Sequence, residues 1–140
     1  MAALGHGAAA LPDYVRVIRM GFLDKLFGKR DKEKRPAELP EHAVIVHFQY
    51  GSTDLSRLFA LEEQLQEAIG AAAVGEFDGN EVAVDGSDGF LYMYGPDADA
   101  LFEAVRPVLE GAAFMRGARV MLRYGPPQDG VREVEVELGT

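Results

Sequence analysis

The sequence predicts an α+β domain built as an antiparallel sheet with two helices on one of its faces, and three observations carry that reading. Residues 89–102 pass from an aromatic strand (Phe90, Tyr92, Tyr94) through Gly95-Pro96, which cannot continue a ladder, to Asp97, suited to accept from the free N–H groups of a following helix. Residues 54–69 repeat apolar side chains at helical spacing just after a β-branched, aromatic run. At the C-terminal end Val134, Val136 and Leu138 alternate with Glu133, Glu135 and Glu137, the pattern of a strand with one wet face.

Taken in order, the elements begin with residues 42–50, where Val44, Ile45, Val46, Phe48 and Tyr50 define a strand expected at the centre of the sheet. Gly51, Ser52 and Thr53 end it and offer a helix cap. In the first helix Leu55, Leu58, Phe59, Leu61, Leu65, Ala68 and Ile69 face inward, Glu62, Glu63 and Glu67 face outward, and Gly70 is the expected stop. Residues 74–84 contain the second strand, with a bulge or bend at Asp78-Gly79, and residues 85–89 turn into the third. The second helix turns Leu101, Phe102, Val105, Val108 and Leu109 inward. Pro107 removes the hydrogen bond to the carbonyl of Glu103, which predicts a kink or an early end. Residues 118–124 form the fourth strand, residues 125–130 a turn, and residues 131–138 the fifth strand.

Strand, helix, strand, strand, helix, strand, strand is the split βαβ plan (βαββαβ) of the ferredoxin-like fold with one extra C-terminal hairpin strand. Right-handed crossovers then set the first and third strands side by side in the middle, with both helices on one face. Period-two alternation leaves His47, Gln49, Tyr92, Tyr94, Arg119 and Arg123 on the other, open face. Tyr and Arg together are a common interface composition, so this set is the candidate interaction surface, with a protein partner or a second copy as its occupant.

Charge divides the chain in two. Residues 1–40 hold 8 of the 14 basic and 5 of the 23 acidic side chains, a net of +3, whereas residues 41–140 carry a net of −12. The first part reads as an N-terminal extension and the second as the folded domain. An acidic body repels phosphate backbones, which disfavours nucleic acid as a partner. Without cysteine there is no disulfide framework and no thiolate chemistry, and a reducing cytoplasm is compatible. Residues 1–10 are small and apolar but lack a preceding Lys or Arg, a poor match to a signal peptide. Met1 or Met20 serves as the start, and Phe22, Leu23, Leu26 and Phe27 form an apolar stripe beside Lys25 and Lys29. That short basic amphipathic stretch would be a frayed two-turn helix, disordered or docked on the domain, or would touch an anionic membrane surface. Met20-Gly21 resembles a myristoylation start, but Lys25 occupies the Ser/Thr position; residues 30–40 are a charged linker.

Chemistry is sparse. The histidines are His6 in the extension, His42 at a strand edge and His47 mid-strand, with Ser52 or Ser56 as distant nucleophiles for any triad, so no catalytic residues are assigned. Glu76, Asp78, Glu81, Asp85 and Asp88 make an acidic run, yet the stretch after Asp78 fails the calcium-loop pattern at its third acidic position, and no metal or cofactor is assigned. Glycines do not fall as a dinucleotide or phosphate loop. Gly89, Phe90 and Tyr92 loosely echo the aromatic motif of RNA-recognition folds, with Asp88 where a base should stand.

Gly75 to Glu81, then Leu91 to Phe102 with its Tyr-Gly-Pro-Asp-Ala-Asp block, then Leu122 to Gly125 resemble the signature blocks of a family of small bacterial proteins to which no activity is attached. The resemblance covers roughly residues 42–138 and implies a ferredoxin-like fold and a bacterial source. The function expected is therefore a non-catalytic protein-interaction module working through the open sheet face or the edge of the fifth strand. Two alternatives stand beside it: a ligand-binding or enzymatic pocket around His47, Tyr92 and Arg123, and RNA binding through the aromatic strand residues.

Overall fold

The computed structural model describes residues 13–17 and 41–139. Among the described residues six strands and two helices follow in the order β1 (Tyr14–Val15), β2 (His42–Gln49), α1 (Ser56–Ala72), β3 (Glu76–Ala83), β4 (Asp88–Gly95), α2 (Ala98–Glu110), β5 (Arg119–Arg123) and β6 (Glu133–Glu137), with a 3₁₀ turn at Ala113–Met115 before β5. The strands form one antiparallel sheet in the order β1-β3-β4-β2-β5-β6. The expected central pair is present: β2 lies against β4 over its whole length, from His42 opposite Gly95 to Gln49 opposite Asp88.

Alternation along the strands separates the two faces. Val44, Val46, Phe48, Leu91, Met93, Val120 and Leu122 are all buried, and they join Leu58, Leu65 and Ile69 of α1 and Leu101, Val105 and Leu109 of α2 in one core. Burying that apolar area is the main term holding the layers together, at about 25 cal/mol per Å². The register slips between Phe77 and Gly79, so Asp78 forms the expected bulge.

The entry to α2 follows from its residues. Asp97 takes extended backbone and its carboxylate accepts from the N–H groups of Asp99 and Ala100 at 3.0 and 3.2 Å, while the ring of His42 accepts from Ala98 N–H at 3.0 Å. Three helix donors are thereby satisfied by a cap and by the first residue of β2. Just before it, Gly95 passes so close to the carbonyl of Val74 that a Cβ would stand 2.2 Å away, the steric reason for glycine between Tyr94 and Pro96.

Four local expectations are corrected. The first helix does not stop at Gly70 but runs to Ala72, and Ala73 takes the left-handed conformation at φ 55°, its N–H bonded to the carbonyl of Gly70. Its start is organised by Asp54, whose carboxylate accepts from the Ser56 N–H and hydroxyl, rather than by a residue of 51–53 capping it directly. Glu62, expected on the wet face, is buried, because its carboxylate accepts from the amide of Asn80 in β3. Of the kink or early end expected at Pro107, the early end is absent: α2 runs on to Glu110, and Leu109 beyond the proline is fully buried, a packing gain that offsets one missing backbone bond.

One element was not anticipated. Residues 13–17, assigned by their sequence to the extension, place Tyr14 and Val15 on the outer edge of β3. The amphipathic stripe Phe22, Leu23, Leu26 and Phe27 and the linker 30–40 lie outside the described residues. Among the described residues no helix is long and apolar enough to cross a membrane.

Candidate functional site

The face opposite the helices is built from cross-strand rows. One row runs Glu81, Phe90, His47, Arg119, Glu137; the next Gly79, Tyr92, Ile45, Met121, Glu135; the third Glu76, Tyr94, Ala43, Arg123, Glu133. Each row therefore begins at β3, has an aromatic ring on β4, and finishes on a β6 glutamate. The middle row is apolar and aromatic across β4, β2 and β5, Arg119 and Arg123 stand in the rows beside it, and glutamates occupy the β6 end of every row and the β3 end of two.

Five of the six residues singled out from the sequence, His47, Tyr92, Tyr94, Arg119 and Arg123, fall in these rows, and Gln49 lies exposed at the end of β2 opposite Asp88. Their surroundings differ. His47 stacks on Phe90 with ring centroids 4.4 Å apart and 10° between planes, and its Nε2 is 2.6 Å from an Asp88 carboxylate oxygen. An ionised carboxylate only accepts, so Nε2 carries the hydrogen. The same carboxylate accepts from the Tyr14 hydroxyl at 2.7 and 2.9 Å, and the Tyr14 ring meets Phe90 at 5.7 Å. That hydrogen bond, more than burial, pushes the Tyr14 phenol up to about 12.

Tyr92 lies nearly parallel to Phe90 at 6.2 Å and donates to Glu81 at 2.8 Å; burial first and Glu81 second raise its pKa above the ordinary value. Tyr94 is raised chiefly by burial, with Asp78 adding to it. Arg119 is exposed and reaches Glu135 at 3.3 Å, a solvated pair worth little stability. Arg123 is buried: its Nε donates to the Gly125 carbonyl at 2.7 Å, which ties the end of β5 to the turn that follows. Phe90, Asp88 and Tyr14 were missing from the sequence-derived set. Phe90 was legible from the same alternation as Tyr92, whereas the partnership of Tyr14 with Asp88, 74 positions apart, had no local signal.

The residues weighed for a triad or for a cation site have partners of their own. Ser52, in the loop before α1, and Ser56, its first residue, both bond Asp54, and His47 bonds Asp88. In the acidic run, Asp85 accepts from the N–H and hydroxyl of Ser87, which holds its carboxyl below the usual range, and Asp78 lies 3.7 Å from the Arg16 guanidinium. Among the described residues no three acidic or His side chains converge as a metal site requires. Among the described residues shallow grooves lie on the helix layer, such as one of about 320 Å³ between Arg57, Gln64, Pro107 and Phe114 and another along α2 from Asp99 to Glu110.

The described residues thus form an α+β domain with a six-stranded antiparallel open sheet and two helices. No family model, curated protein or solved structure matches the chain.

Proposed function

We propose that the chain is a ferredoxin-like domain with an added C-terminal hairpin strand, acting as a non-catalytic module that binds a protein partner across the open sheet face. The single observation carrying this reading is the face itself: Phe90, Tyr92, Ile45 and Met121 sit side by side, bordered by Glu76 and Glu81 on one side and Glu133, Glu135 and Glu137 on the other. An apolar, aromatic centre inside a charged rim is the anatomy of a protein interface. The rim also specifies the partner, which presents an apolar patch edged by Lys or Arg. The pocket reading is weaker because Arg123 is taken up by the Gly125 carbonyl, and the RNA reading because the stacked rings lie between rows of carboxylates that repel phosphate.

The test uses the full chain as bait in native lysate, beside an Ile45→Ser, Met121→Ser variant whose folding is checked by circular dichroism. A protein retained by the unaltered chain, lost with the variant and weakened by added salt supports the reading. Equal retention by both baits overturns it.

A further inference from the structure

The edge of β3 carries a second built feature. Tyr14 pairs with Ala83 and Val15 with Val82, and the Val84 N–H donates to the Asp13 carbonyl at 2.6 Å. Beyond these backbone bonds, side chains of the body read the segment position by position. The Asn80 carboxamide donates to the Val17 carbonyl at 2.8 Å and accepts from the Val17 N–H at 2.9 Å, replacing a ladder pair. Its remaining N–H goes to Glu62 at 2.5 Å, and both side chains are buried, so a polar device inside the fold holds one residue of an extended strand. The Arg16 guanidinium donates to the Asp78 carbonyl at 2.7 Å and lies over Gly79, where a Cβ would stand 2.0 Å from its Nη1 and would make the side chain move aside. Tyr14 is read by Asp88 and Phe90.

The segment is nevertheless peripheral to the core, whose buried members all lie between Val44 and Leu138, with Val17 packed only at the margin. The body therefore does not need this strand to come from its own chain. Residues 18–41 separate Val17 from β2, 24 positions that span up to roughly 80 Å when extended. Charge points the same way. Two bodies at −12 repel each other, whereas an N-terminal part at +3 is attracted to either of them.

We infer that the β3 edge is a strand-acceptor groove reading the pattern Tyr-x-Arg-Val, and that it accepts residues 13–17 of a second copy of this chain, linking copies by strand exchange. This inference concerns the edge and not the open face, and it stands without the function proposed above. In a single chain the resident strand competes at the high effective concentration set by the connection, so exchange shows fully only when a chain cannot fill its own groove.

The experiment pairs two full-length chains with different tags. Chain one carries Tyr14→Ser and Arg16→Ser, an impaired strand with an intact groove; chain two carries Asp78→Ala and Asp88→Ala, an impaired groove with an intact strand. The milder versions Arg16→Ser and Asp78→Ala repeat the test if either pair of substitutions unfolds its chain. The expected result is that chain one captures chain two roughly tenfold more than either captures its own kind, since the mixture alone holds one matched strand and groove free of an intramolecular rival. No preference for the mixture overturns the inference. Equal capture in all combinations also overturns it, and points to the open face joining copies instead.

Discussion

The two faces of the sheet are made by the same strands and differ by one residue of phase. On the helix-covered face Val44, Val46, Leu91, Met93 and Val120 have no exposed surface at all, and each touches other apolar side chains. On the open face Tyr92, Tyr94 and His47 are only partly covered; the Tyr92 hydroxyl is tied to Glu81, the His47 Nε2 to Asp88, and the rings of His47 and Tyr92 lie on either side of Phe90. The first face is held by removal of apolar area from water, which has no direction and demands volume. The second is organised by hydrogen bonds and ring contacts, which are directional and individually small.

The largest effect that tests this contrast comes from neighbouring residues on β4. Leu91→Ala, fully buried, is expected to lower unfolding free energy by about 2–5 kcal/mol in urea titration. Tyr92→Phe, which removes only the hydroxyl to Glu81, is expected to cost about 1 kcal/mol. Comparable losses would abolish the distinction between the faces.

Asn80 is the polar exception on the helix-facing side, bonded to Glu62 and to Val17. Asn80→Ala leaves the Glu62 carboxylate without this donor, so a loss of about 1–3 kcal/mol is expected, together with faster amide exchange at Val17. Unchanged exchange at Val17 would show that the carboxamide does not hold the strand. Asp97→Ala lies outside both faces and removes the cap of α2. It should cost about 1 kcal/mol, read as a lowered Tm.

The smallest effect belongs to the rim. The Tyr14 phenol is raised from 10.0 to about 12, so its neutral, donating form is favoured when folded. Its contribution is complete below pH 10 and is lost as pH rises through about 12. The group is partly exposed, which keeps the stability change slight. Ultraviolet titrations of phenolate in the unaltered chain and in Tyr14→Phe should differ by one tyrosine that ionises at about 12, over a background of Tyr92, Tyr94 and Tyr124, which are also raised; a difference centred at the ordinary midpoint would break the Tyr14–Asp88 bond as described.

Much of this was legible beforehand because it is local. Period-two alternation separated Val44 and Val46 from His47, and a carboxylate after Gly95-Pro96 announced the start of α2. The candidate face was legible as a set of residues but not as an arrangement. Arg123 and Arg119 share a face and spacing, yet the turn carbonyl of Gly125 buries one and leaves the other in solvent. Glu62 looked like any outward glutamate until Asn80 was brought opposite it.

By itself the sequence determined the order of the elements, the phase of every long strand and the cap of α2, because each depends on residues within about one turn or a few positions of one another. Tertiary structure alone decided that residues 13–17 join the sheet, that His42 bonds the first turn of α2, and that Asp88 links Tyr14 to His47. These contacts join residues 41 to 74 positions apart, and such a bond exists only after core burial has brought the strands together.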